Sequence, residues 1–310
     1  MKHLSTCALL FSLTATSALA DAESCKSVRL ANLGWTDILL TDATAEVILS
    51  ALGYKPSQSL LALGIAYESL HTNNVDIFQG NWRPVQDENF KEYFDKGWVV
   101  DLGENLTGAK FTLAVPKYVS DQGITSFEDI AKNRDMFGGK IYGIEPGSNS
   151  YLIDMIAAKR HGFDETWEVV ESSEVGMLGQ LEGALNDKAP IVFLGWEPHP
   201  MNINYEITYL SGGDVEFGPN YGGSTVHTLS RPGYAEECPN AAKFFSQLVY
   251  TLDYENQGMR MIMTDGADPL DAAKAMMVQM PGLLDGWLAG VTTFDGQDAL
   301  PVVKAALKIN

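Results

Sequence analysis

Short apolar runs alternate with segments of helical periodicity through the first two thirds of the chain. Strands buried on both faces are apolar almost throughout, so these runs predict strands of a largely parallel sheet in an α/β fold. The predicted strands cover residues 28–33, 59–63, 75–78, 98–102, 110–115, 140–144, 167–170 and 191–194. The predicted helices cover residues 42–52, 125–133, 150–159 and 175–185, the second opening on a capping box from Thr125 to Glu128.

The last third of the chain has a different pattern. Residues 238–309 are predicted to be mostly helical, with breaks at Asp265-Gly266, Pro281-Gly282 and Asp295-Gly296. No linker rich in Pro, Gly or Ser divides the sequence, and no repeat of solenoid period is visible. The strand and helix segments therefore belong to one continuous α/β organisation.

Three tryptophans share a local context at the ends of predicted strands. Trp82 lies in the run Gly-Asn-Trp-Arg-Pro after strand 75–78, and Trp196 lies in Gly-Trp-Glu-Pro after strand 191–194. Trp35 follows the first strand in the run Gly-Trp-Thr-Asp. Ligands of open α/β sheets bind at the carboxyl ends of strands, so the three rings are predicted to converge on one cleft.

A tryptophan taken alone is more often a core residue than a ligand contact, and this interpretation applies to Trp98, Trp167 and Trp287. For the three strand-exit tryptophans the shared context favours function. An indole face carries a negative quadrupole and attracts a large, weakly hydrated cation such as trimethylammonium, at about 0.5–2 kcal/mol per face. Asp37, two residues after Trp35, is placed to add charge or to accept a hydrogen bond from a hydroxyl group.

Composition and charge narrow the class of partner. The chain has 310 residues, 45% of them hydrophobic, and its 40 acidic and 21 basic side chains give a formal net charge of -19. This composition is typical of a globular protein and excludes disorder. The acidic balance, without a Lys/Arg cluster, argues against nucleic acid or an anionic membrane surface as the main partner and favours a cationic or neutral one.

Residues 1–20 are predicted to be a secretion signal peptide. Lys2 and His3 form a basic start, residues 8–13 an apolar centre, and Ala-Leu-Ala at 18–20 a cleavage site. Its removal takes away Lys2 and leaves 290 residues with a net charge of -20. No later stretch approaches the roughly 20 apolar residues of a membrane span. The sequence therefore predicts an exported protein without a lipid anchor.

The two cysteines outside this segment, Cys25 and Cys238, are predicted to form a disulfide, because exported proteins meet an oxidising compartment. Two unpaired thiols remain the alternative; the third cysteine, Cys7, lies in the signal segment. Cys238-Pro239 resembles an N-cap followed by proline at the first helical position. The disulfide would then tie the N-terminal stretch to the start of a late helix.

Motifs of common enzymes are absent from the sequence: there is no Gly-x-Ser-x-Gly, no phosphate-binding loop and no His-Glu-x-x-His. We interpret His199 as a rim residue beside Trp196 rather than as a base. Ser148, Asn149 or Ser150 is expected to cap the helix that follows, and the segment offers polar groups to the cleft. We therefore expect no catalytic residue, no metal and no cofactor.

Four runs together carry a resemblance to a known family: Gly-Trp-Thr-Asp at 34–37, Gly-Asn-Trp at 80–82, Ile-Tyr-Gly-Ile-Glu-Pro-Gly at 141–147 and Phe-Leu-Gly-Trp-Glu-Pro-His-Pro at 193–200. The chain resembles the quaternary-amine (glycine betaine/choline) substrate-binding proteins of bacterial ABC importers over essentially all of residues 21–310. This resemblance implies a two-lobed periplasmic binding protein of type II-like architecture, each lobe a mostly parallel sheet flanked by helices. Lobe I would comprise residues 21–110 and 213–310 and lobe II residues 111–212, with the ligand cleft between them.

The same resemblance implies a role for individual residues. Trp35, Trp82, Trp196 and Phe111 would form an aromatic box around the trimethylammonium group, Asp37 would accept from a ligand hydroxyl, and Ser148 would contact the tail, with Asn149 a further candidate. Choline-binding members usually have tyrosine where this chain has Phe111 and asparagine where it has Ser148. A carboxylate beside the tail disfavours a zwitterion such as betaine.

We therefore expect a periplasmic protein, monomeric and not an enzyme, that captures choline and delivers it to an ABC permease in the inner membrane. The alternatives within the class are glycine betaine, carnitine, trimethylamine oxide and dimethylsulfonium compounds. Alternatives from other classes are a secreted hydrolase and an extracytoplasmic receptor that reports its ligand to a sensor kinase.

Overall fold

The computed structural model describes residues 21–309, so the predicted signal peptide and Cys7 lie outside the described residues. Within this range nine strands form one mixed sheet. The strands are β1 (Ser27–Asn32), β2 (Lys55–Leu60), β3 (Ile77–Arg83), β4 (Val100–Pro116), β5 (Lys140–Tyr142), β6 (Glu168–Val170), β7 (Phe193–Glu197), β8 (Ile207–Tyr209) and β9 (Gly223–Ser230).

Helices flank the sheet. Most of the longer helices are either the first helix or the helices that follow β9 in the chain. They are α1 (Thr36–Ala51), α2 (Leu63–His71), α3 (Lys91–Asp95), α4 (Lys117–Ser120), α5 (Phe127–Lys132), α6 (Ser150–Ala157), α7 (Glu174–Asp187), α8 (Met201–Asn204), α9 (Asp214–Phe217), α10 (Pro219–Gly222), α11 (Tyr234–Glu237), α12 (Pro239–Gln247), α13 (Leu252–Met263), α14 (Pro269–Gln279), α15 (Leu283–Trp287) and α16 (Ala299–Leu307). In the part of the chain described, no helix combines the length and apolar character needed to cross a membrane.

Strands β4 and β9 join two parallel groups of strands. The sheet order is β2-β1-β3-β9-β4-β7-β5-β6, with β8 beside β4. β1 pairs in parallel with β2 and β3 on one flank, and β5 pairs in parallel with β6 and β7 on the other. β9 and β4 are antiparallel to each other and to their outer neighbours β3 and β7. The predicted α/β fold with parallel strands on each flank is thus confirmed, with two antiparallel strands between the flanks.

Two of the larger errors in the predicted boundaries have physical causes. α1 begins at Thr36, six residues before the predicted start, because the run after Trp35 continues directly into a helix that is buried on most of its faces. The predicted strand 59–63 is displaced: β2 is Lys55–Leu60, and residue 63 already belongs to α2. β2 is an edge strand that is mostly exposed, so it lacks the apolar pattern of a buried strand.

Several local predictions hold with small shifts. The capping box of α5 uses Ser126 and Asp129, one residue beyond the predicted pair, with Ser126 Oγ accepting from Asp129 N at 3.1 Å. The predicted strands 98–102 and 110–115 both fall on the single strand β4, except for residues 98 and 99, which precede it. The last third of the chain is helical as predicted, and Cys238 precedes Pro239 at the start of α12.

Two of the three tryptophans predicted to lie in the core are confirmed there. Trp167 is 6% and Trp287 is 2% exposed. The prediction for Trp98 is wrong, because this residue lies in the turn before β4 and is only partly buried. Its ring stacks on His71 with 4.1 Å between ring centroids, and Lys96 Nζ lies 4.3 Å from its centroid.

The disulfide between Cys25 and Cys238 is present and joins residues 213 positions apart in the chain. Both cysteines are buried, at 2% exposed. The link fastens the turn before β1 to the start of α12, so the first and last thirds of the chain are held against each other.

Replacing both cysteines by serine is expected to lower the free energy of unfolding by about 2–5 kcal/mol, because the unfolded chain regains the freedom of a long loop. Urea denaturation of the double variant and of the oxidised wild type measures the difference. An unchanged midpoint and slope would contradict a stabilising disulfide.

Candidate ligand site

β3 and β7 each carry a tryptophan as their penultimate residue. Trp82 and Trp196 lie within these strands rather than after them, and they are 5% and 7% exposed. Each strand is followed by a proline, Pro84 or Pro198, at a cis peptide bond. The two similar sequence runs thus place an indole ring at the carboxyl end of one strand in each parallel group.

The start of α1 supplies a third ring and a carboxylate. Trp35 is the N-cap residue of α1, and Asp37 lies in its first turn. Asp37 Oδ1 accepts from Ile38 N at 2.8 Å, and Asp37 Oδ2 accepts from the Trp82 indole Nε1 at 3.2 Å. The Asp37 carboxylate therefore fixes the orientation of the Trp82 ring while it lies at the site itself.

Phe111 on β4 lies between the tryptophans of the two flanks. It is directly opposite Trp196 in the β4–β7 ladder, so the two side chains lie on the same face of the sheet. The Phe111 ring centroid is 6.3 Å from that of Trp196 and 6.0 Å from that of Trp82. A phenyl ring on a connecting strand thus bridges two indoles on separate strands.

One cavity brings these side chains together. Its empty space is about 550 Å³, with its open mouth included. All six residues predicted as the principal contacts, Trp35, Asp37, Trp82, Phe111, Ser148 and Trp196, line it. The rest of the wall is Leu63, Val85, Gln86, Asn89, Phe90, Ile144, Gly147, Ser150 and Tyr151.

The loop before α6 is organised differently from the prediction. Ser148 Oγ donates to Glu145 Oε1 at 2.6 Å, and the side chain of Asn149 makes no cap bond to α6. Asn149 instead accepts from Ile144 N and donates to the carbonyl oxygens of Ile144 and Glu145, each at 3.0 Å. Asn149 therefore stabilises the loop and is not part of the cavity wall.

Glu145 holds one ring of the predicted aromatic box, a role that the sequence alone does not indicate. Glu145 Oε1 accepts from the Trp35 indole Nε1 at 2.6 Å, a contact between residues 110 positions apart. Trp82 and Trp35 are thus both held through their indole N–H groups by a carboxylate, which leaves their ring faces free to contact a ligand. Glu145 belongs to the Glu-Pro-Gly run at 145–147, but its partner Trp35 is far away in sequence.

Glu174 was also missed, and His199 was wrongly placed at the rim. Glu174 Oε2 accepts from Thr36 N at 2.9 Å, and Glu174 Oε1 accepts from Thr36 Oγ1 at 2.8 Å. His199 Nε2 lies 2.9 Å from Glu174 Oε1, and the His199 side chain is 1% exposed. His199 is buried because its ring is fixed by Glu174 and packs against Trp196, with 4.8 Å between ring centroids.

Acidic side chains at the cavity and behind its wall are shielded from water. Burial, and after it the negative charge of Glu174, raise the pKa of Asp37 to about 7 despite its hydrogen bonds. Glu255 is also buried, and burial with the nearby charge of Asp37 raises its pKa well above the usual range. A cavity with aromatic walls and poorly solvated carboxylates is suited to a large cation, which offsets charges that water cannot reach.

The chain is similar to known proteins in both sequence and structure. The family model described as the substrate-binding domain of an ABC-type glycine betaine transport system matches residues 26–279. A solved ABC-transporter choline binding protein in complex with choline is 49% identical, with a TM-score of 0.90 over 93% of this chain and all of that chain. An ABC-transporter choline binding protein in an unliganded semi-closed conformation, also 49% identical, has a TM-score of 0.83 over 92% of this chain and 99% of that chain. The glycine betaine/carnitine transport binding protein of Listeria monocytogenes is 31% identical over 159 residues, which are 51% of this chain and 52% of that protein.

The raised pKa of Asp37 has a measurable effect on stability. A carboxyl with a higher pKa in the folded than in the unfolded state stabilises the fold fully below the unfolded value, and this contribution is lost as pH rises towards the folded value. The free energy of unfolding of wild type minus that of Asp37→Asn is therefore expected to fall between about pH 5 and pH 7, by up to about 1.4 kcal/mol per pH unit.

Urea denaturation of the ligand-free protein across this pH range measures the difference. Asp253→Asn, an amide substitution at an exposed position of α13, is the matched control. A wild-type minus Asp37→Asn difference that stays constant from about pH 5 to pH 7 would contradict a raised Asp37 pKa.

Proposed function

We propose that this chain, which belongs to the family of substrate-binding domains of ABC-type glycine betaine transport systems, captures choline in the periplasm and delivers it to an ABC permease. Family membership makes it the substrate-binding component of an importer; its family and neighbours are transport proteins rather than enzymes. The choline ligand is the step proposed. The observation that carries it is one cavity whose wall includes the three indole rings, the phenyl ring of Phe111 and the carboxylate of Asp37.

The trimethylammonium group of choline fits these walls for a physical reason. It carries a full positive charge but has no N–H to donate, so hydrogen bonds cannot replace its hydration. Three indole faces and one phenyl face contribute about 0.5–2 kcal/mol each, to which burial of three methyl groups adds. Such a sum reaches micromolar affinity without a direct ion pair.

Asp37 and Ser148 are the polar side chains that we expect near the tail of the ligand. Among residues 21–309, Asp37 Oδ2 accepts a single long hydrogen bond, from Trp82 at 3.2 Å, so it retains capacity to accept from a ligand hydroxyl. Ser148 Oγ is already bound to Glu145. A carboxylate tail would approach Asp37 and lie near Glu145, and like charges repel, so the wall disfavours glycine betaine and carnitine relative to an alcohol.

The lobe boundaries are part of this proposal. Lobe I comprises residues 21–110 and 213–310 and lobe II residues 111–212, and β4 and β9 are the strands that connect the two groups of parallel strands. Trp35, Asp37 and Trp82 then face Trp196 and Ser148 across the cavity. A ligand that contacts both sides binds the closed state more tightly than the open state. It therefore shifts the protein towards the closed state. The greater similarity to the choline complex than to the semi-closed form supports a closed arrangement here.

Loss of one box ring is expected to weaken binding of every onium ligand. Trp196→Ala should raise the dissociation constants of choline and tetramethylammonium alike by about 10- to 100-fold, because one face and its methyl contacts are removed. Isothermal titration of the purified protein measures both ligands. Trp98→Ala, at a partly exposed tryptophan outside the cavity, is the matched control. Normal binding by Trp196→Ala would show that the box is assigned wrongly.

A substitution of Asp37 is expected to weaken binding of the ligand's hydroxyl tail as well as binding of its positive charge. In Asp37→Asn, choline should lose at least about tenfold more affinity than tetramethylammonium, which has no hydroxyl group to donate to the carboxylate. Glycine betaine should gain relative to choline, because the repulsion of its carboxylate is removed. Titration of the three ligands against both proteins measures these ratios. Equal losses of affinity for choline and tetramethylammonium would show that Asp37 does not contact the ligand tail.

A further inference from the structure

We propose that Glu174 is a positioning residue that holds the cavity closed around its ligand by joining the start of α1 to His199 and Trp196. This inference rests on the proposed function, since it concerns closure over an onium ion. Glu174 does not itself line the cavity, so its effect on a ligand passes through the residues that it holds.

The bonds of Glu174 reach the residues that do line the cavity. Thr36 donates to Glu174 through both its backbone N and its Oγ1, at 2.9 and 2.8 Å. Thr36 lies between Trp35 and Asp37 in sequence and is the first residue of α1. A carboxylate at the free N–H groups of a helix start is favoured both as a hydrogen-bond acceptor and by the helix dipole. Glu174 therefore fixes the segment that carries one ring and the carboxylate of the site.

His199 extends the connection to the opposite wall. Met201 N donates to His199 Nδ1 at 3.0 Å, so Nδ1 carries no hydrogen and Nε2 is the donor to Glu174. The ring of His199 meets that of Trp196 nearly edge to face, at an interplanar angle of 62°. Thr36, Glu174 and His199 are buried, with exposed fractions of 6%, 4% and 1%, so water competes little for these bonds.

The charges near Glu174 favour closure around a cation. Glu174 is near enough for its negative charge to act on Asp37, which lines the cavity. Bringing these two carboxylates together is unfavourable in a site with little water. A monocation among the rings is attracted to both carboxylates and offsets their repulsion. Glu174 is then expected to dock when the ligand is in place and to prolong its residence.

The inference predicts an effect on release rather than on capture. Glu174→Gln should raise the dissociation rate of choline by at least about tenfold, because one amide oxygen cannot accept all three hydrogen bonds. The association rate should change by less than about twofold, since encounter occurs in the open state. Stopped-flow tryptophan fluorescence measures both rates. Glu182→Gln, at an exposed position of the same helix α7, is the matched control.

If Glu174→Gln folds poorly, variants at Thr36 test the same hydrogen bonds from the other partner. Thr36→Val removes the Oγ1 donor and keeps the backbone N–H, so it should raise the dissociation rate by about three- to tenfold, whereas Thr36→Ser should restore it. Thermal denaturation confirms that each variant is folded. Unchanged dissociation rates in both Glu174→Gln and Thr36→Val would contradict the role of Glu174 and leave the proposed function intact. A wild type that binds neither choline nor tetramethylammonium would overturn the proposed function, and this inference with it.

Discussion

The antiparallel pairing of β4 with β7 on one side and β9 on the other is the constraint on which the site depends. It places Phe111 directly opposite Trp196 and, through β9, brings β3 with Trp82 to the same cavity. Parallel strands on each flank end at this region, so rings at their carboxyl ends meet there. The aromatic walls are thus a consequence of strand order, and the connecting strands are part of the site itself.

Burial of carboxyl groups in and near the cavity wall lowers the stability of the fold. Asp37 and Asp42 of α1 are both buried, and burial raises the pKa of each to about 7. Asp42 is compensated by amide donors, since it accepts from Asn32 and Gln79 at 3.1 and 2.9 Å. Asp37 has weaker compensation and faces the cavity. Groups that are poorly satisfied in the empty protein are common where a ligand completes the interaction, and Asp37 fits that pattern.

The sequence was most informative where a residue type and its local context agreed. Trp82 and Trp196 were predicted to meet because both lie near a proline at the end of a buried strand, and both line the cavity. The start of α1 was missed because that helix is buried on most faces and so has little amphipathic periodicity. Trp98 was misplaced because its apolar neighbours in sequence resemble a buried strand. Glu174 was beyond sequence analysis, since an acidic residue in a first helical turn is ordinary and its partner Thr36 is 138 residues away.

We propose that aromatic faces and poorly solvated carboxylates recognise the charge of a methylated onium ion. A comparison of choline with 3,3-dimethylbutan-1-ol, its uncharged isostere, isolates that charge while keeping shape and hydroxyl group. Isothermal titration of both compounds into the purified protein is the direct measurement. We expect the neutral compound to bind at least about 100-fold more weakly than choline. Equal affinities would mean that shape and methyl burial alone hold the ligand and that the site does not recognise its charge.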